Sequence, residues 1–91
     1  MTFEWDVEKE RGNIQKHKLS FEMASLVFLD FERIEIYDDS HSIDEERYIT
    51  IGRLWGTMVI ITVVYTEREG KIRIISARKS TARERGKYYD R

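Results

Sequence analysis

The stretch MVIITVVYT at residues 58–66, followed by EREG at 67–70 and KIRIISAR at 71–78, decides the fold. Its first part is apolar and β-branched throughout, which suits a central strand covered on both faces. Glu67-Arg68-Glu69-Gly70 is a hairpin turn, and residues 71–78 return as the antiparallel partner. Working back towards the N-terminus, residues 46–53 alternate, with Arg47, Ile49, Ile51 and Arg53 on one face and Tyr48 and Thr50 on the other. Leu54-Trp55-Gly56 is a turn. Residues 33–37 alternate as a half-buried strand does, and 38–42 form a polar turn. Outside these strands the period lengthens. Asp6 caps a helix running through about Lys16. Ser20 caps a second that ends near Asp30, with Leu19 and Ala24 placed as a hydrophobic staple. Thr81 and Glu84 form a capping box that opens a C-terminal helix. The expected architecture is α+β in a single domain over residues 1–91: two N-terminal helices, a four-stranded antiparallel meander and a C-terminal helix, with the helices packed on one face.

Composition narrows the function. The chain is 41% hydrophobic and 36% charged, which suits a soluble globular protein. It has no cysteine, so neither a disulfide nor a thiolate zinc site can form, as suits a reducing cytoplasm. No signal peptide is visible, and the apolar run 58–64 is too short to span a bilayer. A net charge of −1 hides a strong segregation. Residues 20–46 carry nine acids against Arg33 alone, whereas residues 68–91 carry nine bases against three acids. Such a field recruits a polyanion to one face and leaves the other for a basic partner or for solubility.

The motif inventory removes several enzyme classes. A glycine-rich phosphate loop, HExxH, a calcium loop and a nucleophile elbow are all missing. Asp38, Asp39, His41, Asp44, Glu45 and Glu46 could bind magnesium or manganese, but a solvated hairpin tip explains them without a metal. In 71–79, strict alternation puts Arg73, Ile75 and Ala77 on one face and Ile72, Ile74, Ser76 and Arg78 on the other. Arginine in a central strand either pairs with a carboxylate, such as Glu46 or Glu84, or faces a ligand groove. Lys79, Arg83, Arg85, Lys87, Tyr88 and Tyr89 interleave cations with aromatics, as phosphate contact and base stacking require, though a solvated helix face would look the same. His17 ends the first helix, where it either complements the helix dipole or transfers protons.

Taken together, Glu4-Trp5-Asp6, Lys9, Asn13, Lys16-His17, Ser20-Phe21-Glu22 and Phe28-x-Asp30 resemble the N-terminal half of the BrnT toxins. Glu45-Glu46-Arg47, Ile51-Gly52, the segment RIISAR at 73–78 and Glu84-Arg85 with Tyr88 resemble the C-terminal half in the same order. Lys18 departs from the pattern, which has glycine after Lys-His. The resemblance implies a RelE-like fold, ribonuclease activity, a cytoplasmic type II toxin and a small ribbon-helix-helix antitoxin of the BrnA kind, with a dimer possible within the complex. No cofactor is implied. Metal-free RNA cleavage needs a base for the 2′-hydroxyl, cations for the phosphate and an acid for the leaving oxygen. Arg73 and Arg78 are the expected phosphate ligands, assisted by Arg47 or Arg53, with Lys79, Arg83 and Arg85 along the RNA. His17, Glu46 and Tyr88 are the proton-transfer candidates. The competing reading is a non-catalytic subunit that grips RNA or a protein with the same arginines.

Overall fold

The structure is a computed structural model that describes residues 1–90; Arg91, counted above in the basic segment, lies outside the described residues. The elements are β1 (Phe3–Trp5), α1 (Val7–His17), α2 (Phe21–Ser25), β2 (Ile34–Tyr37), β3 (Tyr48–Arg53), β4 (Ile60–Arg68), β5 (Lys71–Lys79) and α3 (Ala82–Tyr89). The strands form one sheet in the order β1-β5-β4-β3-β2. This corrects the expected four-stranded antiparallel meander. The sheet has five strands and is mixed, because β1 pairs parallel to β5 with Phe3, Glu4 and Trp5 opposite Ile72, Arg73 and Ile74. Three residues are too few to show a period, so β1 left no strand signal in the sequence. The second expected helix is also shorter than 20–30. After α2 it tightens to a 3-10 turn at Leu26–Leu29, which buries Val27 and Phe28 together.

Local chemistry sets the element ends. The Asp6 carboxylate accepts the Glu8 and Lys9 backbone N–H groups at 2.8 and 3.1 Å. Ser20 accepts from Met23 N–H at 3.0 Å. Thr81 and Glu84 make both bonds of the capping box. Lys18 ends α1 at φ 60, the left-handed conformation that favours glycine, so its departure from the family pattern falls where a side chain is strained. Between β4 and β5, Glu69 and Gly70 both have positive φ, the two-residue turn whose twist matches the strands it joins.

Beyond Trp5 the outer edge of β5 has no strand partner, and Asn13 takes that place. Its side-chain amide donates to Ala77 O at 2.9 Å and its carbonyl accepts from Ala77 N–H at 3.1 Å, while the amide also donates to Leu19 O at 2.8 Å. One buried side chain thus closes the edge of β5 and fixes the turn after α1.

The main core lies between the sheet and the α2 region, where Phe21, Ala24, Val27 and Phe28 pack on Ile61, Val63, Tyr65, Ile74 and Ala77. A smaller cluster on the other face joins Tyr88 of α3 to Ile51 and Ile60. Gly52 lies under the α2 region, where an added Cβ would come within 2.8 Å of Arg33 Cβ and 2.9 Å of Val27 Cγ2. The close approach of that layer therefore depends on the missing side chain.

Candidate functional site

Strand register decides which arginines share a face. Val64 pairs with Ser76 and Tyr65 with Ile74, so Ile75 is an extra residue, a β-bulge. The bulge reverses parity along β5. Ile72, Ile74 and Ala77 all point to the main core, and Arg73, Ser76 and Arg78 point to the opposite face. Strict alternation had put Arg73 and Arg78 on opposite faces; the bulge puts them on one. Their cross-strand neighbours there are Thr66, Val64 and Thr62, followed on β3 by Ile49 and Ile51. One end of this face is covered by α3 through Tyr88; at the other, Thr66 is buried and its hydroxyl donates to Glu46 O at 2.6 Å.

Each strand arginine is held by a carboxylate. Arg78 makes a two-pronged pair with Glu84, Nη1 to Oε1 at 2.7 Å and Nη2 to Oε2 at 2.9 Å. The Arg78 side chain is nonetheless 40% exposed, so one side of the guanidinium is open. The Arg78 hydrogen bond is the main cause holding the Glu84 carboxyl down to about 2; burial opposes it, and the Thr81 N–H and Thr62 hydroxyl add to it. Glu84 therefore links the strand arginine to the start of α3. Because its folded value lies below the ordinary 4.5, its contribution to stability is complete above that pH and is lost as pH falls towards 2. Thermal melting between pH 5 and 2 should show a smaller acid loss for Glu84→Gln than for the wild type.

Arg73 donates from Nη1 to Glu4 Oε2 at 3.2 Å, across the β1–β5 pair. Nearby, Arg68 Nη2 donates to Glu45 Oε2 at 2.9 Å. That bond holds the Glu45 carboxyl below the usual range against a smaller cost of burial, with the charges of Arg47 and Arg73 contributing. Arg47 and Arg68 line a cleft of about 510 Å³ with Glu45 and His41. The Nε of Arg47 is buried there with no hydrogen-bond partner. The end of the face away from α3 therefore gathers Arg47, Arg68 and Arg73 around Glu4 and Glu45. From the sequence, Arg68 and Glu4 had no site role, and Glu45 had one only as a possible metal ligand. Pairing across 69 residues, as between Glu4 and Arg73, leaves no local signal.

The proton-transfer candidates do not converge. Tyr88 is 4% exposed, and its hydroxyl donates to Asp30. Burial disfavours the charged Asp30 carboxylate, but the Arg53 N–H, the Tyr88 hydroxyl and the Glu32 N–H outweigh it and hold the carboxyl below its usual range. Tyr88 thus ties α3 to the segment after α2. Glu46 accepts the Tyr48 hydroxyl at 3.1 Å, and Tyr48 packs against the main core, on the face away from Arg73. His17 is half-buried at the end of α1, one turn beyond Asn13 on the same side of the helix. Arg53, Lys79, Arg83 and Arg85 are exposed. Arg85 reaches back to Ser80 O at 2.8 Å, and Arg53 is at the far end of β3 from Arg47.

Among the described residues, no three of His, Asp and Glu converge as a metal site. In the 38–46 segment, Asp38 instead bonds His41 and Ser40 within its own turn, at 3.0 and 3.1 Å. No helix among the described residues is long and apolar enough to cross a membrane.

Residues 5–84 match the family described as "Ribonuclease toxin, BrnT, of type II toxin-antitoxin system". No curated protein matches the chain.

Proposed function

The chain belongs to the BrnT family of ribonuclease toxins of type II toxin–antitoxin systems, and we propose that it cuts RNA on the face of the sheet that carries Arg73 and Arg78, without a metal cofactor. Family membership implies an antitoxin partner; the reading adds that this partner is a ribbon-helix-helix protein. The observation carrying the site assignment is the bulge at Ile75, which turns Arg73 and Arg78 to the same face.

Arg73 and Arg78 lie opposite Thr66 and Thr62, four residues of strand, which puts their Cα atoms roughly 13 Å apart. They therefore serve neighbouring phosphates of one strand. Arg73, with Arg47 beside it, takes the scissile phosphate, because their planar forks match its oxygens and stabilise the charge added in the transition state. Arg78, fixed by Glu84, takes an adjacent phosphate. Arg83 and Arg85 extend the track along α3. An incoming phosphate competes with Glu4 for Arg73, leaving the Glu4 carboxylate beside the reacting centre. It is the group placed to take the 2′-hydroxyl proton, so that the 2′-oxygen attacks phosphorus and the 5′-oxygen leaves, taking its proton from water. Tyr88, bonded to Asp30, keeps α3 in place and stays outside the chemistry.

The test is cleavage of a single-stranded RNA by the purified chain in excess EDTA. Cleavage at the rate seen without chelator is expected. Activity that disappears in EDTA and returns with magnesium or manganese would overturn the metal-free reading.

A further inference from the structure

At the end of the face away from α3, one row across the sheet runs Arg47, Thr66, Arg73. Thr66 pairs with Arg73. On the other side Tyr48 pairs with Tyr65, and Asp38 N–H donates to Arg47 O at 2.9 Å, which carries the β2–β3 ladder one residue further. Arg47 therefore falls opposite Thr66, two strand spacings or roughly 10 Å from the Cα of Arg73. The cleft that Arg47 lines, about 510 Å³, thus adjoins the phosphate assigned to Arg73. Its volume falls in the roughly 300–1,000 Å³ range of small-molecule pockets.

The lining is of mixed sign. Arg47 and Arg68 stand beside Asp44 and Glu45, so a second phosphate is repelled as well as drawn. A neutral ligand with both donors and acceptors suits such a wall, and the base next to the bound phosphate is one. Arg68 donates to Glu45 Oε2, which keeps the carboxylate charged and leaves Oε1 to accept. Arg47 has no carboxylate of its own among the described residues, unlike Arg68, Arg73 and Arg78. Its Nε is buried without a partner. A guanidinium partly sunk in protein and short of acceptors is costly, and an acceptor brought into the cleft offsets that cost. Stacking surface is present too: Ile43 is 87% exposed, and the His41 ring is held by Asp38 at 3.0 Å, the kind of ring on which unpaired RNA bases stack.

We propose that this cleft takes a guanine next to the cleaved bond, so that the chain is a guanine-preferring ribonuclease. The inference rests on the reading of the Arg73 face as the RNA site, and it names the base which that site selects. Among the four bases only guanine carries two adjacent donors, N1–H and the 2-amino group, which one carboxylate accepts together. It also presents O6 and N7 side by side, the acceptors that an arginine fork matches. Glu45 takes the first edge and Arg47 the second. Arginine has five donors, so Arg47 still serves the phosphate. Adenine and cytosine offer one amino group and uracil one N–H. Each leaves Glu45 or Arg47 short of a partner, and a site built on hydrogen bonds rejects such a ligand.

The experiment measures affinity of the full chain for pentamers UUXUU with 2′-deoxy sugars, which the proposed chemistry cannot cut, at one fixed salt concentration. With X as guanine, binding should be about 10- to 100-fold tighter than with adenine or cytosine, and inosine, which lacks the 2-amino group, should fall between. Glu45→Ala should erase the preference without weakening the adenine pentamer, because it removes a negative charge from the track. The pair it breaks is exposed, so the melting temperature should hold. Arg47→Lys keeps the charge, loses the fork and should lower the preference as well. Equal affinities in the wild type, or a guanine preference that survives Glu45→Ala, would overturn the proposal. So would a Glu45→Ala variant altered only in its grip on the antitoxin, which would give the cleft to the protein partner. Guanine preference in binding with no cleavage of unmodified RNA would sink the nuclease reading and leave the base site standing.

Discussion

Arg73→Ala should lower the rate of RNA cleavage by about 100- to 1,000-fold, the usual cost of removing one preorganised donor from a developing oxyanion, while the protein still folds. The fold is expected to survive because the pair with Glu4 is a single 3.2 Å contact between side chains 28% and 29% exposed, worth about 1 kcal/mol. Glu4→Gln keeps the shape and removes the base. It should slow cleavage to a similar degree and leave RNA binding intact. Arg78→Ala differs because Glu84 also caps α3. It should weaken RNA binding as well as cleavage, and cost more stability than Arg73→Ala. Rates and melting temperatures of the three purified variants check this pattern. Full activity in Arg73→Ala would move the scissile phosphate elsewhere. A collapse in stability would make Arg73 a purely structural residue.

Asn13→Ala should be among the most destabilising single changes in the chain. The side chain is 7% exposed and satisfies Ala77 N–H, Ala77 O and Leu19 O together. Alanine leaves three buried backbone groups without partners, at about 1 kcal/mol or more each. A loss of roughly 3 kcal/mol or more is expected, on the order of 15 °C in melting temperature for a domain of this size. Asn13→Asp should be nearly as harmful, because it cannot donate to either carbonyl and brings a charge against them. Thermal unfolding checks both. A change of only a few degrees would mean that water replaces the side chain along the β5 edge.

Asn13 also illustrates what the sequence could not disclose. Its lone polar side chain on a thinly apolar helix carries no mark of a partner 64 residues away. The β4–β5 hairpin was legible because its apolar run, turn and returning strand are contiguous, and so were the Asp6, Ser20 and Thr81 caps, whose bonds span two or three residues. β1 was not legible: Phe3-Glu4-Trp5 becomes a strand only because β5 is available to pair with it. The bulge was hidden because Ile74 and Ile75 are both apolar, so the binary pattern reads equally well with or without an extra residue. That one residue moved Arg78 to the face of Arg73. Of the proton-transfer candidates, Tyr88 was plausible by residue type, and only the tertiary contact with Asp30 shows it tied to the frame. Glu84 was legible as a cap and as one of two candidate partners for the strand arginines, and the fold of α3 against β5 gives it to Arg78.

The proposed chemistry predicts its own products, because attack by the 2′-oxygen leaves a 2′,3′-cyclic phosphate on one fragment and a 5′-hydroxyl on the other. The decisive measurement is the end groups of RNA cut by the wild-type chain in EDTA, alongside an oligonucleotide with 2′-deoxy sugars at the cleaved positions. The account predicts cyclic phosphate and 5′-hydroxyl ends, with no cutting at the 2′-deoxy sites. Fragments bearing 5′-phosphate and 3′-hydroxyl, or equal cutting of the 2′-deoxy strand, would contradict it.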